Sequence, residues 1–265
     1  GRNNSMTVWE AFFLGTVQGV TEFLPISSSG HLVMAQEVLG VSVPGVLFEV
    51  WVHMATLLSI ILIYRHRITD LLRGVLDRDQ KALEYLGLLV LATLPAVGVG
   101  ILGEGLVKVM FENPLIPGMA LLVTGGFLWT TRSVVIAIEG GYPKWTGALL
   151  IGLAQALALV PGISRSGTTV VAGLWLGLKA KDAAEFSFLM AIPVILGATL
   201  LQLSEIGVSP SLPTATLFVA GTASALTGVL AIQTFIKSLH KGSFHLFGLY
   251  CWIVGCAFLL YLWIK

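Results

Sequence analysis

Pro161-Gly162-Ile163-Ser164-Arg165-Ser166-Gly167-Thr168-Thr169 interrupts an otherwise apolar stretch that runs from about 146 to 178. Each flank of this break is about 11–17 residues, whereas a helix needs roughly 20 to cross a hydrocarbon core of about 30 Å. Irregular polar backbone at membrane depth is tolerated only where protein or a wet cavity surrounds it. The stretch is therefore predicted to form a re-entrant helix pair that enters and leaves on the same side.

A second stretch, 8–40, is broken in the same way at Pro25-Ile26-Ser27-Ser28-Ser29-Gly30-His31. A shift of 137 positions aligns Gly15 with Gly152, Gln18 with Gln155 and Ile26 with Ile163. The same shift aligns Ser27 with Ser164, Ser29 with Ser166 and Gly30 with Gly167. Three long apolar runs follow each break, at about 46–64, 82–103 and 115–135, then at 186–203, 214–235 and 244–264. This pattern reads as an internal duplication, with repeat one at about 8–135 and repeat two at about 146–264.

Composition places these segments in a bilayer. Hydrophobic residues make up 56% of the chain and charged residues 11%, with a mean hydropathy of +0.90. A soluble domain carries about 25% charged residues. The net charge of +1 excludes a nucleic-acid partner, which requires a concentrated basic face. Cys251 and Cys256, the two cysteines, have no metal-ligand spacing and read as small apolar packing residues. Gly1–Ser5, ahead of Met6, reads as an artificially appended remnant outside a single membrane domain at 6–265, and no removable signal peptide is expected after it.

Lys and Arg set the orientation. Arg65, Arg67, Arg73, Arg78 and Lys81 lie in one connecting segment. With that segment in the cytoplasm, Arg132, Lys144, Lys179, Lys181, Lys237 and Lys241 fall on the same side. The first hairpin then enters from outside and the second from inside. The expected fold is an all-α integral membrane protein of six transmembrane helices plus two re-entrant hairpins, arranged as inverted-topology repeats. In such folds the site lies where broken helices meet near the midplane. Trp51, Trp129, Trp145, Trp175, Trp252 and Trp263 mostly fall near span ends and read as interface belts.

The chemistry concentrates at the two breaks. Gln18 and Glu22, four apart, share one face of the first hairpin helix. A carboxylate in an apolar segment is costly unless paired or wet, so Glu22 reads as an acid/base group, a cation ligand or an architectural hydrogen-bond acceptor. Ser27, Ser28 and Ser29 would cap the returning helix. His31 beside them would serve as a base or a nucleophile. Arg165 is the one basic residue left at membrane depth, and its planar fork suits a phosphate. Ser164, Ser166, Gly167, Thr168 and Thr169 would complete an anion cradle at a helix N-terminus. An Arg165–Glu22 pair that merely satisfies both charges is the alternative. Glu49 and His53, an i, i+4 pair, and Glu185 at the head of the matching helix read equally as helix-end charges or as supports of the site.

Together, 18–31 (Gln-Gly-Val-Thr-Glu-Phe-Leu-Pro-Ile-Ser-Ser-Ser-Gly-His) and 161–169 resemble the undecaprenyl-diphosphate phosphatase family, also known for bacitracin resistance. Its two motifs are Glu or Gln followed four residues later by Glu, and Pro-Gly-x-Ser-Arg-Ser-x-x-Thr. The first position here is Gln18 rather than Glu, a form that the family admits but one that weakens any mechanism needing two acids there. The likeness extends from about residue 8 to 264. It implies hydrolysis of undecaprenyl diphosphate to undecaprenyl phosphate, at a site reached from the outer face of the bacterial cytoplasmic membrane. It also implies a divalent cation, Mg2+ or Ca2+. In that scheme Arg165 and its cradle bind the diphosphate, and Glu22, aided by Gln18, holds the cation or manages a proton. Ser27 is the preferred nucleophile with His31 as its base or as the general acid, and the reverse assignment stays open. The rival class is a transporter or flippase of lipid phosphate or small anions, which the repeats alone would favour. Membrane lipids are expected partners, and the oligomeric state, a homodimer included, is open.

Overall fold

The structure, a computed structural model, describes residues 6–40, 47–133, 141–202 and 212–265. Gly1–Ser5, read above as appended residues, lie outside them. The described residues form eleven α-helices and no strand. The first break separates α1 (Val8–Phe23) from α2 (Ser28–Leu39), and the second separates α7 (Trp145–Leu157) from α8 (Arg165–Trp175). At about 1.5 Å per residue, the longest of these four, the 16-residue α1, spans about 24 Å and falls short of a bilayer core. In each pair the two helices pack on one another.

Among the described residues, five helices are long and apolar enough to cross a membrane: α3 (Leu47–Leu76), α4 (Gln80–Leu102), α9 (Ala180–Leu201), α10 (Thr214–His240) and α11 (Leu246–Ile264). Between α4 and α6 (Leu115–Thr130) lies α5 (Glu104–Glu112), where the sequence suggested only a connection. The axis turns by 100° between α5 and α6, and that bent pair supplies a sixth candidate span.

Helix ends depart from the ends of the apolar runs. The run at 46–64 becomes a 30-residue helix that continues to Leu76, with non-helical φ/ψ at Tyr64 (−100°, 16°). Charge does not stop a helix once it leaves the hydrocarbon. Helix α3 stops where Arg78 takes a positive φ and Asp79 caps α4 by accepting the Ala82 N–H at 3.1 Å. The run at 186–203 likewise begins six residues early, because the polar turn containing Asp182 and Glu185 is helical.

Packing pairs the two halves crosswise. Helix α1 packs on α10 and α7 packs on α4, while α6 packs on α11 and α3 on α9. The contacts repeat in detail. A Cβ at Gly15 would run into the backbone of Ala220, and one at Gly152 into the backbone of Ala92. Gly30 abuts Gly162, and Gly167 abuts Pro25. At the α6–α11 contact, Gly118 and Gly255 each meet a leucine from the other helix, Leu259 and Leu122.

The largest core cluster, which includes Phe23, Phe188, Phe235 and Phe244, draws on both halves and takes in Ile26 of the first break. Cys251 is buried and Cys256 exposed, and both are free thiols. Trp145, Trp175 and Trp263 are exposed as belts require. Trp51, also exposed, and Trp252 donate to the Leu217 and Leu122 carbonyls, tying helices together.

Candidate active site

Two N-caps build the site. Ser27 Oγ accepts the Gly30 N–H at 3.3 Å, and Ser164 Oγ accepts the Gly167 N–H at 3.1 Å. Each cap lies within hydrogen-bonding distance of the serine two residues on, Ser29 at 3.4 Å and Ser166 at 3.3 Å. The breaks also bind each other. Gly162 N–H donates to Ser27 Oγ at 3.1 Å, and Ser166 Oγ donates to the Leu24 carbonyl at 3.2 Å. Thr124 on α6 seats the second break by donating to the Gly162 carbonyl and accepting the Ser164 N–H.

Ser27 holds φ 68°, a left-handed conformation that costs a non-glycine residue on the order of 1–3 kcal/mol and persists only where the surroundings over-determine it. It places the next residue, Ser28, against Glu22.

Glu22 is the hub, 8% exposed. Its Oε1 accepts Arg165 Nη2 at 2.8 Å. Its Oε2 accepts the Ser28 hydroxyl at 2.6 Å and Gln18 Nε2 at 3.1 Å. His53 Nε2 lies 3.6 Å from the same oxygen. The ring of His53 is oriented by Nδ1, which lies 2.8 Å from the Glu49 carbonyl and so carries the proton. Arg165 is also anchored through Nη1 to the Ser187 carbonyl at 3.4 Å, and Ser187 Oγ meets Thr169 Oγ1 at 2.6 Å.

A cavity of about 290 Å³ opens on this hub. Glu22, Ser27, Ser28, Ser29, Ser164 and Arg165 line it, with Glu49 and His53 from α3. Val107 and Phe111 of α5, and Val194, Ile195 and Ala198 of α9, add an apolar wall. One cavity thus offers a cationic fork, hydroxyls and a carboxylate beside a greasy surface, the surroundings of an amphiphile with an anionic head.

Some predicted residues stand elsewhere. Gly167 uses its N–H on the Ser164 cap, while the Thr168 and Thr169 hydroxyls donate back to the Ser164 and Arg165 carbonyls. With Ser166 turned to Leu24, the cradle read at 164–169 narrows to Ser164 and Arg165 on the cavity wall. His31 is not on that wall either. Its Nδ1 is 2.9 Å from the Ser27 carbonyl and its Nε2 2.9 Å from the Tyr250 hydroxyl. Ser187 and Tyr250 were not singled out, while His53, read with Glu49 as either a helix-end charge or a support of the site, stands on the cavity wall.

A cation fits the donor set, in part. No group of three His, Cys, Asp or Glu side chains is gathered for a metal among the described residues. Glu22 and Glu49 both face the cavity, and the buried Gln18 Oε1 lacks a donor. These are hard oxygens, and a Mg2+ that shares substrate phosphate oxygens needs only one or two protein carboxylates.

The matched family settles the class. Residues 11–257 match the family described as Bacitracin resistance protein BacA. The chain belongs to this family. An undecaprenyl-diphosphatase of Alkaliphilus metalliredigens is 40% identical over 97% of this chain and 99% of its own length. One from Desulfatibacillum aliphaticivorans is 37% identical over 95% and 97%. Undecaprenyl-diphosphatase 2 of Bacillus thuringiensis is 39% identical over 94% and 96%. This BacA-family chain is a multi-pass, all-helical membrane protein.

Proposed function

We propose that the chain hydrolyses undecaprenyl diphosphate to undecaprenyl phosphate and inorganic phosphate, recycling the lipid carrier of bacterial cell-wall polymers. The observation that carries this reading is the meeting of Arg165 and Ser28 on the two oxygens of one buried carboxylate. A phosphate-binding fork and a hydroxyl hydrogen-bonded to a base thereby share one cavity wall.

Arg165, with Ser164 and Ser29 beside it, receives the diphosphate and offsets charge that builds up in transfer. Glu22 takes the proton of Ser28 as Ser28 Oγ attacks the terminal phosphorus. The bond from that phosphorus to the bridging oxygen breaks, and undecaprenyl phosphate leaves. Water then attacks the phosphoserine, which releases inorganic phosphate and restores the hydroxyl. Ser28 takes the role first read onto Ser27, because Ser27 Oγ is occupied by two N–H donors and contacts no carboxylate. Glu22 with Glu49 would hold a divalent cation, Mg2+ or Ca2+, which would spread the negative charge of the diphosphate oxygens.

The crosswise packing of α1 on α10 and α7 on α4 supports an inverted repeat of six spans and two re-entrant hairpins. The Lys and Arg distribution supports an outward-facing site in the cytoplasmic membrane.

Purified protein given undecaprenyl diphosphate in detergent should release one inorganic phosphate per lipid and leave lipid monophosphate, followed by 31P NMR. Binding of the lipid diphosphate without release would favour transport instead.

A further inference from the structure

We infer that Tyr250 is a positioning residue of the reactive turn, acting through His31. The inference rests on the phosphatase reading above. It starts from Ser27, one of two non-glycine residues with positive φ among the described residues. Something must hold that turn in place, and the hydrogen bonds on its carbonyl identify what does.

The Ser27 carbonyl accepts the backbone N–H of His31 at 3.2 Å and lies 2.9 Å from His31 Nδ1. A carbonyl oxygen only accepts, so Nδ1 carries the proton. In the neutral ring Nε2 is then the acceptor, and its partner at 2.9 Å, the Tyr250 hydroxyl, donates. The two rings lie nearly parallel, at 11° with centroids 5.7 Å apart. The next residue on α11, Cys251, directs its thiol to the Pro25 carbonyl at 3.7 Å. Two consecutive residues of α11 thus grip both sides of the Pro25–Ser27 turn.

Both His31 nitrogens are committed, and His31 has no place on the cavity wall. His31 holds the Ser27 carbonyl, and through the peptide that follows it keeps Ser28 on Glu22. The Ser27 carbonyl fixes the tautomer, and the Tyr250 hydroxyl, donating to Nε2, holds the ring in the orientation that does this. Without that hydroxyl, Nε2 loses its donor and the ring its outer anchor, so Nδ1–H is free to swing off the Ser27 carbonyl.

The test combines 15N NMR of histidine-labelled protein in detergent with steady-state hydrolysis of a polyprenyl diphosphate. The chain has 5 histidines, and the His31 signals are identified by their loss in His31→Ala. Wild type should show His31 as the Nδ1–H tautomer. Tyr250→Phe should keep the tautomer, move the Nε2 signal as its hydrogen-bond donor is lost, and lower kcat between about 10- and 100-fold at unchanged KM, the cost of a displaced reacting group. In a His31→Ala background, Tyr250→Phe should add nothing. Three results overturn the inference: an Nε2–H tautomer in wild type, an unchanged Nε2 signal and kcat in Tyr250→Phe, or a Tyr250→Phe loss that persists without His31. The wild-type spectrum decides even where a variant folds poorly. Wild type that releases no phosphate overturns the phosphatase reading itself, whatever the tautomer.

Discussion

Glu22 and Arg165, 143 positions apart, meet at 2.8 Å with side chains only 6% and 13% exposed. The ion pair joins the two breaks, so it is at once a structural tie and the entrance to the chemistry. Charge buried this deeply is costly to leave alone. Removing one partner of such a pair typically costs about 3–5 kcal/mol. Glu22→Ala and Arg165→Ala should each lose stability on that scale. Glu22→Gln with Arg165→Met, which removes both charges, should recover part of it. Denaturant unfolding in detergent reads the difference, and all three proteins should be inactive.

Ser27 and Ser28 should separate cleanly. Ser28→Ala removes the attacking oxygen and should lower kcat by about 1000-fold or more in a folded protein. Ser27→Ala leaves the Gly30 and Gly162 N–H groups without their acceptor, at a cost of about 1–3 kcal/mol. Its principal effect should be on unfolding. Acid-quenched protein given substrate labelled in the terminal phosphate should carry the label on Ser28, located by mass spectrometry of peptides.

The repeat can be tested through its glycines. Gly15→Ala would drive a methyl into Ala220, and Gly152→Ala would do the same at Ala92. Overpacking of this kind costs about 1–3 kcal/mol. Equivalent surroundings predict similar losses at the two positions, measured by thermal unfolding, whereas Gly98→Ala, with nothing close by, should be tolerated.

Cation dependence should trace to the carboxylates. Chelation should abolish hydrolysis, and Mg2+ or Ca2+ should restore it. Glu49→Gln should raise the cation concentration needed for half-maximal rate without unfolding the protein, as read by titration of the chelated enzyme.

Much of this was legible in the sequence because polar residues at membrane depth have few reasons to be there. Both breaks, their internal likeness and the Glu22–Arg165 encounter follow from Pro25, Pro161, the serine clusters and one stranded arginine. Other features were hidden by ambiguity in local signals. The hydroxyls of Thr168 and Thr169 serve a helix N-terminus or a ligand equally well, and only their bonds to the Ser164 and Arg165 carbonyls decide between the two. The His31–Tyr250 contact spans 219 positions and leaves no periodic trace. The end of α3 was misplaced at 64 because hydropathy marks where hydrocarbon stops, not where hydrogen bonding along the helix does.

The most direct test is phosphate release from undecaprenyl diphosphate by the purified wild type beside Glu22→Gln and Arg165→Lys, each verified as folded. Release by wild type alone is expected, since Gln cannot take the Ser28 proton and Lys lacks the planar fork. Wild-type rates in either variant would contradict a site built on Glu22 and Arg165.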